Sequence, residues 1–349
     1  MRLTTANHRV AILLHEGILG PGGKTGLTLL RYSEATIVAA IDRECAGRSL
    51  PELTGIPRDV PIVDSVAAAF PYQPNVLAIG IAPPGGALPA AWFREIQMAI
   101  AEGLSIVNGL HTSLGDRTEF RERLREDQWI WDIRQEPVGL KIASAEARQL
   151  SCLRVLAVGT DMAVGKMSTC LELNRAAQAR GLRSKFLATG QAGLAIAGDG
   201  VALDAVRVDF AAGAVEHIVT RFGSDRDIVF VEGQGSLLHP GSTATLPLLR
   251  GAQPTHLVLV HRAGQTHIRK HSHVPIPPLP AVIDLYERVA DAAGALHPAK
   301  VAAIALNTRH LNDSDARDAI AQVEAETHLP CTDPVRFGPD SLLDAIVST

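Results

Sequence analysis

The chain has 349 residues, 46% hydrophobic and 20% charged, a composition that excludes disorder as its main state and a length beyond one ordinary core. Its net charge of −4 carries no basic footprint, so nucleic acid is not an expected partner, and no apolar run is long enough to span a membrane. Cys45, Cys152, Cys170 and Cys331 form no C-x-x-C pair and the N-terminus lacks the apolar core of a signal peptide; together these predict reduced thiols in a cytoplasmic protein. The expected partner is a small-molecule substrate.

Residues 9–14, RVAILL, read as a buried parallel strand, followed by a glycine-rich loop over 17–25, a helix to about Tyr32, and a second strand over 35–41 ending at Asp42. Strand, glycine loop, helix, strand and acid is the order of a dinucleotide-binding unit, in which the acid bonds a ribose hydroxyl. The strict G-x-G-x-x-G is absent, so cofactor binding and a purely structural tight turn both stay open. A strand start and helix over 61–70, a strand over 76–81 ending in the loop 82–86, a helix over 89–103 and a strand over 105–108 follow. Asn108 and His111 stand at that strand end, where open α/β sheets hold ligands, and are candidate substrate contacts; bonding of the turn itself is the competing reading. Residues 118–128, with EFRERLREDQ, predict a charge-rich exposed helix, and the weakly periodic 129–150 holds the domain junction, giving domains 1–150 and 151–349.

The second half opens on LRVLAV, a loop from Gly159 to Lys166 and an amphipathic helix: strand, phosphate loop, helix. A helix N-terminus offers unpaired N–H groups and a positive dipole end, glycines let the backbone wrap a phosphate, and a lysine adds a point charge. Gly159, Thr160, Val164, Gly165, Lys166, Met167, Ser168 and Thr169 are the candidate ligand-binding residues. The loop departs from G-x-x-x-x-G-K-[ST] in having five residues between its glycines and Met167 in place of the hydroxyl that binds Mg²⁺. A strand over 185–188 ends in a loop of small residues, 189–193, with Gln191 a candidate substrate contact. A helix over 209–222 leads to the strand DIVFV and Glu232, whose carboxylate falls beside the phosphate loop in a parallel sheet and is a candidate for a metal, a water or a substrate amine.

His239 to Thr243 forms a candidate closing loop, and strands over 255–260 and 301–306 end at His261-Arg262 and at Asn307, before helices over 313–328 and 339–347. For His261, His267, His271 and His273 three readings compete: a metal site with His267 and His271 on one helix face, an anion-binding segment with Arg262, Arg269 and Lys270, or solvated surface. The rhythm of strands and helices predicts an α/β protein of two three-layer domains, an N-terminal Rossmann-like domain and a C-terminal P-loop NTPase-like domain with a mostly parallel sheet.

The segment over 76–111 is similar to the CoA-binding Rossmann domains of acyl-CoA synthetases, which implies CoA or another adenine nucleotide. GTDMAVGKM with VEGQGS resembles the GTDTxVGKT and VEGAGG motifs of dethiobiotin synthetase and its relatives. That resemblance implies Asp161 and Glu232 as Mg²⁺ ligands if a Mg-nucleotide is used, Lys166 on phosphate, Asn307 as the base-reading residue and a homo-oligomer. Met167, and ATGQAG where the synthetase has a substrate-binding Lys-Pro, are departures from it.

GTDMAVGKMST, TGQAGLAIAGDG, DAVRVDFAAGAVE and CTDPVRFG, with the glycine-rich N-terminal domain, together resemble a full-length bacterial and archaeal family long without an assigned function, some members of which are described as D-glutamate N-acetyltransferases. This implies acetyl-CoA as cofactor, with ATP and Mg²⁺ as the alternative. In acetyl transfer the acceptor amine needs a base, Glu232 or His239, with Asp161 as a further catalytic candidate, and the acceptor carboxylate needs a cation such as Arg262. A dethiobiotin synthetase-type ligase or kinase and a non-catalytic nucleotide sensor are the competing functions.

Overall fold

Two six-stranded parallel sheets organise the chain, each built from strands buried on both faces. The computed structural model describes residues 3, 7–81, 88 and 90–348; the predicted loop 82–86 lies outside the described residues. Contacts divide the chain into one unit of Met1–Gln135 with Gln191–Ala205 and another of Glu136–Gly190 with Val206–Thr349. The division differs from a single cut after residue 150 in two ways: the unit changes at Gln135, and 191–205 returns to the first unit.

The first unit contains β1 (Arg9–Leu13), α1 (Lys24–Tyr32), β2 (Thr36–Ile41), α2 (Leu50–Thr54), β3 (Ile62–Val63), α3 (Val66–Ala69), β4 (Val76–Ile79), α4 (Ala90–Ala101), β5 (Ser105–Asn108), α5 (Thr118–Arg121) and β6 (Ile130–Asp132). Its strand order, β3-β2-β1-β4-β5-β6, is the doubly wound Rossmann order, which reverses at β1. The core joins Leu13, Leu77 and Ile79 of the sheet to Trp92, Ile96 and Ile100 of α4 and to Phe120.

The helix predicted over 118–128 ends after one turn, at Arg121. Its charged residues are exposed, as expected, while Gln128 is buried. Arg125 donates to Ala101 O at 2.5 Å and Gln128 Nε2 donates to Ile100 O and Leu104 O at 3.0 and 2.8 Å, so the end of α4 draws the segment out of helical register.

The second unit begins with β7 (Leu153–Gly159), α6 (Lys166–Ala179) and β8 (Ser184–Leu187). The chain then makes α7 (Gln191–Ala197), which packs on α1 in the first unit, where the sequence predicted a loop. It continues as α8 (Val208–Gly223), β9 (Ile228–Val231), α9 (Thr245–Ala252), β10 (His256–Arg262), the hairpin β11 (His267–Ile268) and β12 (His271–Pro275), α10 (Leu279–Asp291), β13 (Lys300–Asn307), α11 (Asp313–Thr327), β14 (Cys331–Thr332) and α12 (Asp340–Val347). The strand order is β14-β13-β10-β7-β9-β8, with β7 and its loop at the centre.

The hairpin removes the helical face proposed for His267 and His271: Lys270 turns the chain at φ 68°, and Ile268 pairs with His271. The four cysteines are buried and unpaired. No helix among the described residues is long and apolar enough to cross a membrane.

Candidate active site

The P-loop of the second unit rises from the apolar strand β7 and closes onto α6. Ala163 at φ 55° and Gly165 at φ 126° turn its backbone through conformations that bring successive N–H groups around one concavity. Lys166, the first residue of α6, is buried, and its Nζ donates to Asp161 O across the loop at 2.8 Å. The first turn of α6 adds N–H groups that have no acceptor within the helix, and the positive end of its dipole. Gly233 is required beside this loop: a Cβ there would stand 1.7 Å from Ala157 O and 2.8 Å from Lys166 Cδ.

Side chains from neighbouring strand ends fix the loop. Asn307, at the end of β13, donates Nδ2 to Val164 O at 2.8 Å, so its amide holds the loop backbone. Arg262, at the end of β10, donates to Ala163 O at 3.4 Å. Thr160 Oγ1 lies 2.9 Å from Nδ1 of buried His261, whose pKa burial lowers to about 4, so this ring is neutral at physiological pH. Tyr286, fully buried on α10, donates to Gly159 O at 2.7 Å and accepts from Leu237 N at 3.1 Å, tying the end of β7 to the loop after β9.

Asp161 anchors the loop's other edge. Its Oδ1 accepts from Met162 N at 2.6 Å, and its Oδ2 from Gln265 Nε2 at 2.6 Å and Arg269 N at 2.8 Å. Met167 is buried and brings no hydroxyl, and Thr169 donates its own to Gly165 O at 3.2 Å, leaving half-buried Ser168 as the remaining hydroxyl of the turn. Among the described residues no three His, Cys, Asp or Glu side chains are grouped to hold a metal ion. Buried Lys166 and the N–H groups at the start of α6 suit a phosphate group.

Glu232 follows β9 and is buried. Its Oε2 accepts from Thr189 N and Gly190 N at 2.9 and 3.2 Å, and its Oε1 from Gln234 Nε2 at 3.1 Å. His239 Nδ1 accepts from Gly241 N at 3.0 Å, so the neutral ring carries its proton on Nε2 and is a donor there. His239 and His271 meet edge to face, with centroids 5.2 Å apart.

The remaining candidates belong to the first unit. Asn108 is fully buried: its Nδ2 donates to Thr112 O at 2.8 Å and Asp132 Oδ1 at 2.6 Å, and its Oδ1 accepts from Leu110 N at 3.1 Å. These bonds tie Asn108 to the turn that follows β5. His111 is half exposed, 3.9 Å from Asp204, which also pairs with Arg134. Burial, and then Arg134, lower its pKa. Gln191 opens α7 beside Gly109. Asp42 accepts from Ile18 N and Glu44 N at 3.1 and 3.0 Å, so the glycine loop after β1 is held by the acid expected on a ribose.

Sequence reasoning missed Tyr286 and Gln265. Tyr286 lies on the apolar stripe Val282, Tyr286, Ala290, four residues apart, and a lone phenol on such a stripe is the signal that it has a buried partner.

Comparison with known proteins accords with this architecture. Residues 141–343 match a P-loop domain of unknown function, DUF1611, and residues 43–136 match its Rossmann-like N-terminal domain. A D-glutamate N-acetyltransferase of Tritonibacter scottomollicae is 38% identical over 78% of this chain and 81% of its own. A protein of the same name from a Pseudoalteromonas species is 34% identical over 80% of this chain and 83% of its own. The crystal structure of a DUF1611 family protein from Anabaena variabilis is 64% identical, covers 98% of this chain and 100% of its own, and superposes with a TM-score of 0.96. With a Rossmann-like and a P-loop domain in this order and relatives aligned across both, the chain belongs to the DUF1611 family.

Proposed function

We propose that this protein is an N-acetyltransferase that moves the acetyl group of acetyl-CoA to the amine of D-glutamate. The observation that carries the reading is that relatives bearing that activity as their name align over 78% and 80% of the chain, across both domains. The P-loop supports it: the backbone of 163–168 and Lys166 suit the pyrophosphate of CoA, and acetyl transfer does not call for the hydroxyl that Met167 lacks. Acetyl-CoA supplies an activated acyl carbon as its thioester.

The residues of the chain do the rest. Glu232 is assigned as the base that takes a proton from the acceptor ammonium, so that the amine nitrogen bonds to the acyl carbon as the carbon–sulfur bond breaks. His239, a donor at Nε2, is assigned to the negative charge that develops on the acyl oxygen or the departing sulfur.

The reading is tested by thermal shift with acetyl-CoA, CoA and ATP, with and without Mg²⁺, on the wild type and on Lys166→Ala. A ligand that binds only the folded state raises its melting temperature by mass action. Acetyl-CoA is expected to stabilise the wild type, and the substitution to remove most of the shift. Stabilisation by Mg-ATP alone transfers the protein to the ligase or kinase reading.

A further inference from the structure

Beside the P-loop lies a pocket of about 350 Å³, lined by Arg262, Gln265, His267, Arg269 and His310 with the backbone at 263–264, and no carboxylate is among its lining residues. Its volume is that of a small-ligand site. Arg262 is partly exposed and lines this pocket, with Nη2 donating to Ala163 O at 3.4 Å, and exposed Arg269 stands across from the strand end in the same lining.

Sheet order fixes which side of the loop this is. Glu232 and the Thr189–Gly190 backbone stand at the ends of β9 and β8, on one side of β7. Arg262 ends β10, pairs with Asn307 of β13 and lies on the other side, with His310 just beyond β13. CoA has two arms leading from its pyrophosphate. One is the pantetheine chain carrying the thioester; the other is the ribose, whose 3′-hydroxyl bears a phosphomonoester. With the pyrophosphate on the P-loop, the thioester arm must reach the base at Glu232, which sends the ribose arm over β10 and β13.

We propose that the cationic pocket binds the 3′-phosphate of CoA and selects CoA over adenine nucleotides that lack this group. The proposal rests on the acetyltransferase reading. A phosphomonoester is nearly doubly charged at neutral pH and offers three strong acceptor oxygens, a match for the forked donors of Arg262 and Arg269. ATP has no group to place there. The acceptor's carboxylate, for which the sequence offered Arg262, is a poorer occupant, because it would draw the amine to the side of the loop away from Glu232.

Calorimetric titration of CoA and 3′-dephospho-CoA into the wild type and Arg269→Gln tests this. The wild type is expected to bind CoA roughly tenfold to a hundredfold more tightly than dephospho-CoA, the range for a few charge-assisted hydrogen bonds. Arg269→Gln is expected to lose most of that preference while binding dephospho-CoA as the wild type does, which also shows that the variant is folded. Equal wild-type affinities overturn the pocket assignment and leave acetyl transfer standing. A preference that survives Arg269→Gln overturns it as well. Failure of both CoA compounds to bind, with ATP binding, removes the acetyltransferase reading and the pocket's role together.

Discussion

Replacing Tyr286 by Phe removes one oxygen from the P-loop unit and keeps the ring that packs α10 onto the sheet. The hydroxyl donates to Gly159 O at 2.7 Å and accepts from Leu237 N at 3.1 Å in fully buried surroundings. Burial raises its pKa, against the lowering effect of the hydrogen bonds with Leu237, Ser236 and Gly159, so it is a protonated donor at neutral pH. Each backbone group left unsatisfied costs about 1–3 kcal/mol. Two such groups sharing one vacated oxygen position give a loss of about 2–4 kcal/mol. For a unit of this size, at roughly 2–4 °C per kcal/mol, the melting temperature falls by about 4–16 °C. Urea unfolding checks the mechanism, since the midpoint should drop with the slope unchanged. Because Gly159 leads into the P-loop, affinity for phosphate-bearing ligands should fall too. A melting shift below about 1 °C would refute the claim that this phenol fixes the end of β7.

Three further outcomes follow from the same geometry. Lowering pH from 6.5 to 4 should destabilise the protein by about 3 kcal/mol through His261, because the unfolded ring takes up a proton in that window and the buried one, with a pKa of about 4, does not; stability is full above the unfolded pKa and His261→Gln should flatten the profile measured by urea unfolding. Gly233→Ala should destabilise by about 3 kcal/mol or more and abolish P-loop binding, since its Cβ would stand 1.7 Å from Ala157 O, a backbone atom of β7 that cannot rotate away; a normal melting curve with intact binding would count against the packing described. Glu232→Gln keeps an oxygen for Thr189 N and Gly190 N and should leave CoA affinity unchanged while lowering kcat by roughly 10² to 10⁴; an unaltered kcat would assign the base elsewhere.

The P-loop was legible because its signal is local: an apolar strand, glycines, Lys166 and a helix adjoin in the sequence, and the ladder of β7 with β10 and β9 forms around them. The same locality made both parallel sheets readable, since strands buried on two faces must be apolar throughout. What escaped depends on distant partners. Gln128 read as part of an exposed helix, and its burial against the carbonyls of Ile100 and Leu104 depends on residues more than twenty positions away. The residues of α7 are small and weakly patterned, and their helix packs on α1, more than a hundred residues away in sequence and in the same unit. Resemblance pointed Asp161 and Asn307 at ligands; the bonds of Asp161 to Gln265 and Arg269 and that of Asn307 to Val164 O join residues a hundred or more positions apart, which no local pattern displays.

The most direct measurement is incubation of the purified protein with acetyl-CoA and D-glutamate, following free thiol and product mass together, with L-glutamate and Mg-ATP in parallel. The account predicts thiol release that depends on D-glutamate, matched by N-acetylated product and lost in Lys166→Ala. Phosphate release from Mg-ATP with no thiol and no acetylated amino acid would contradict it.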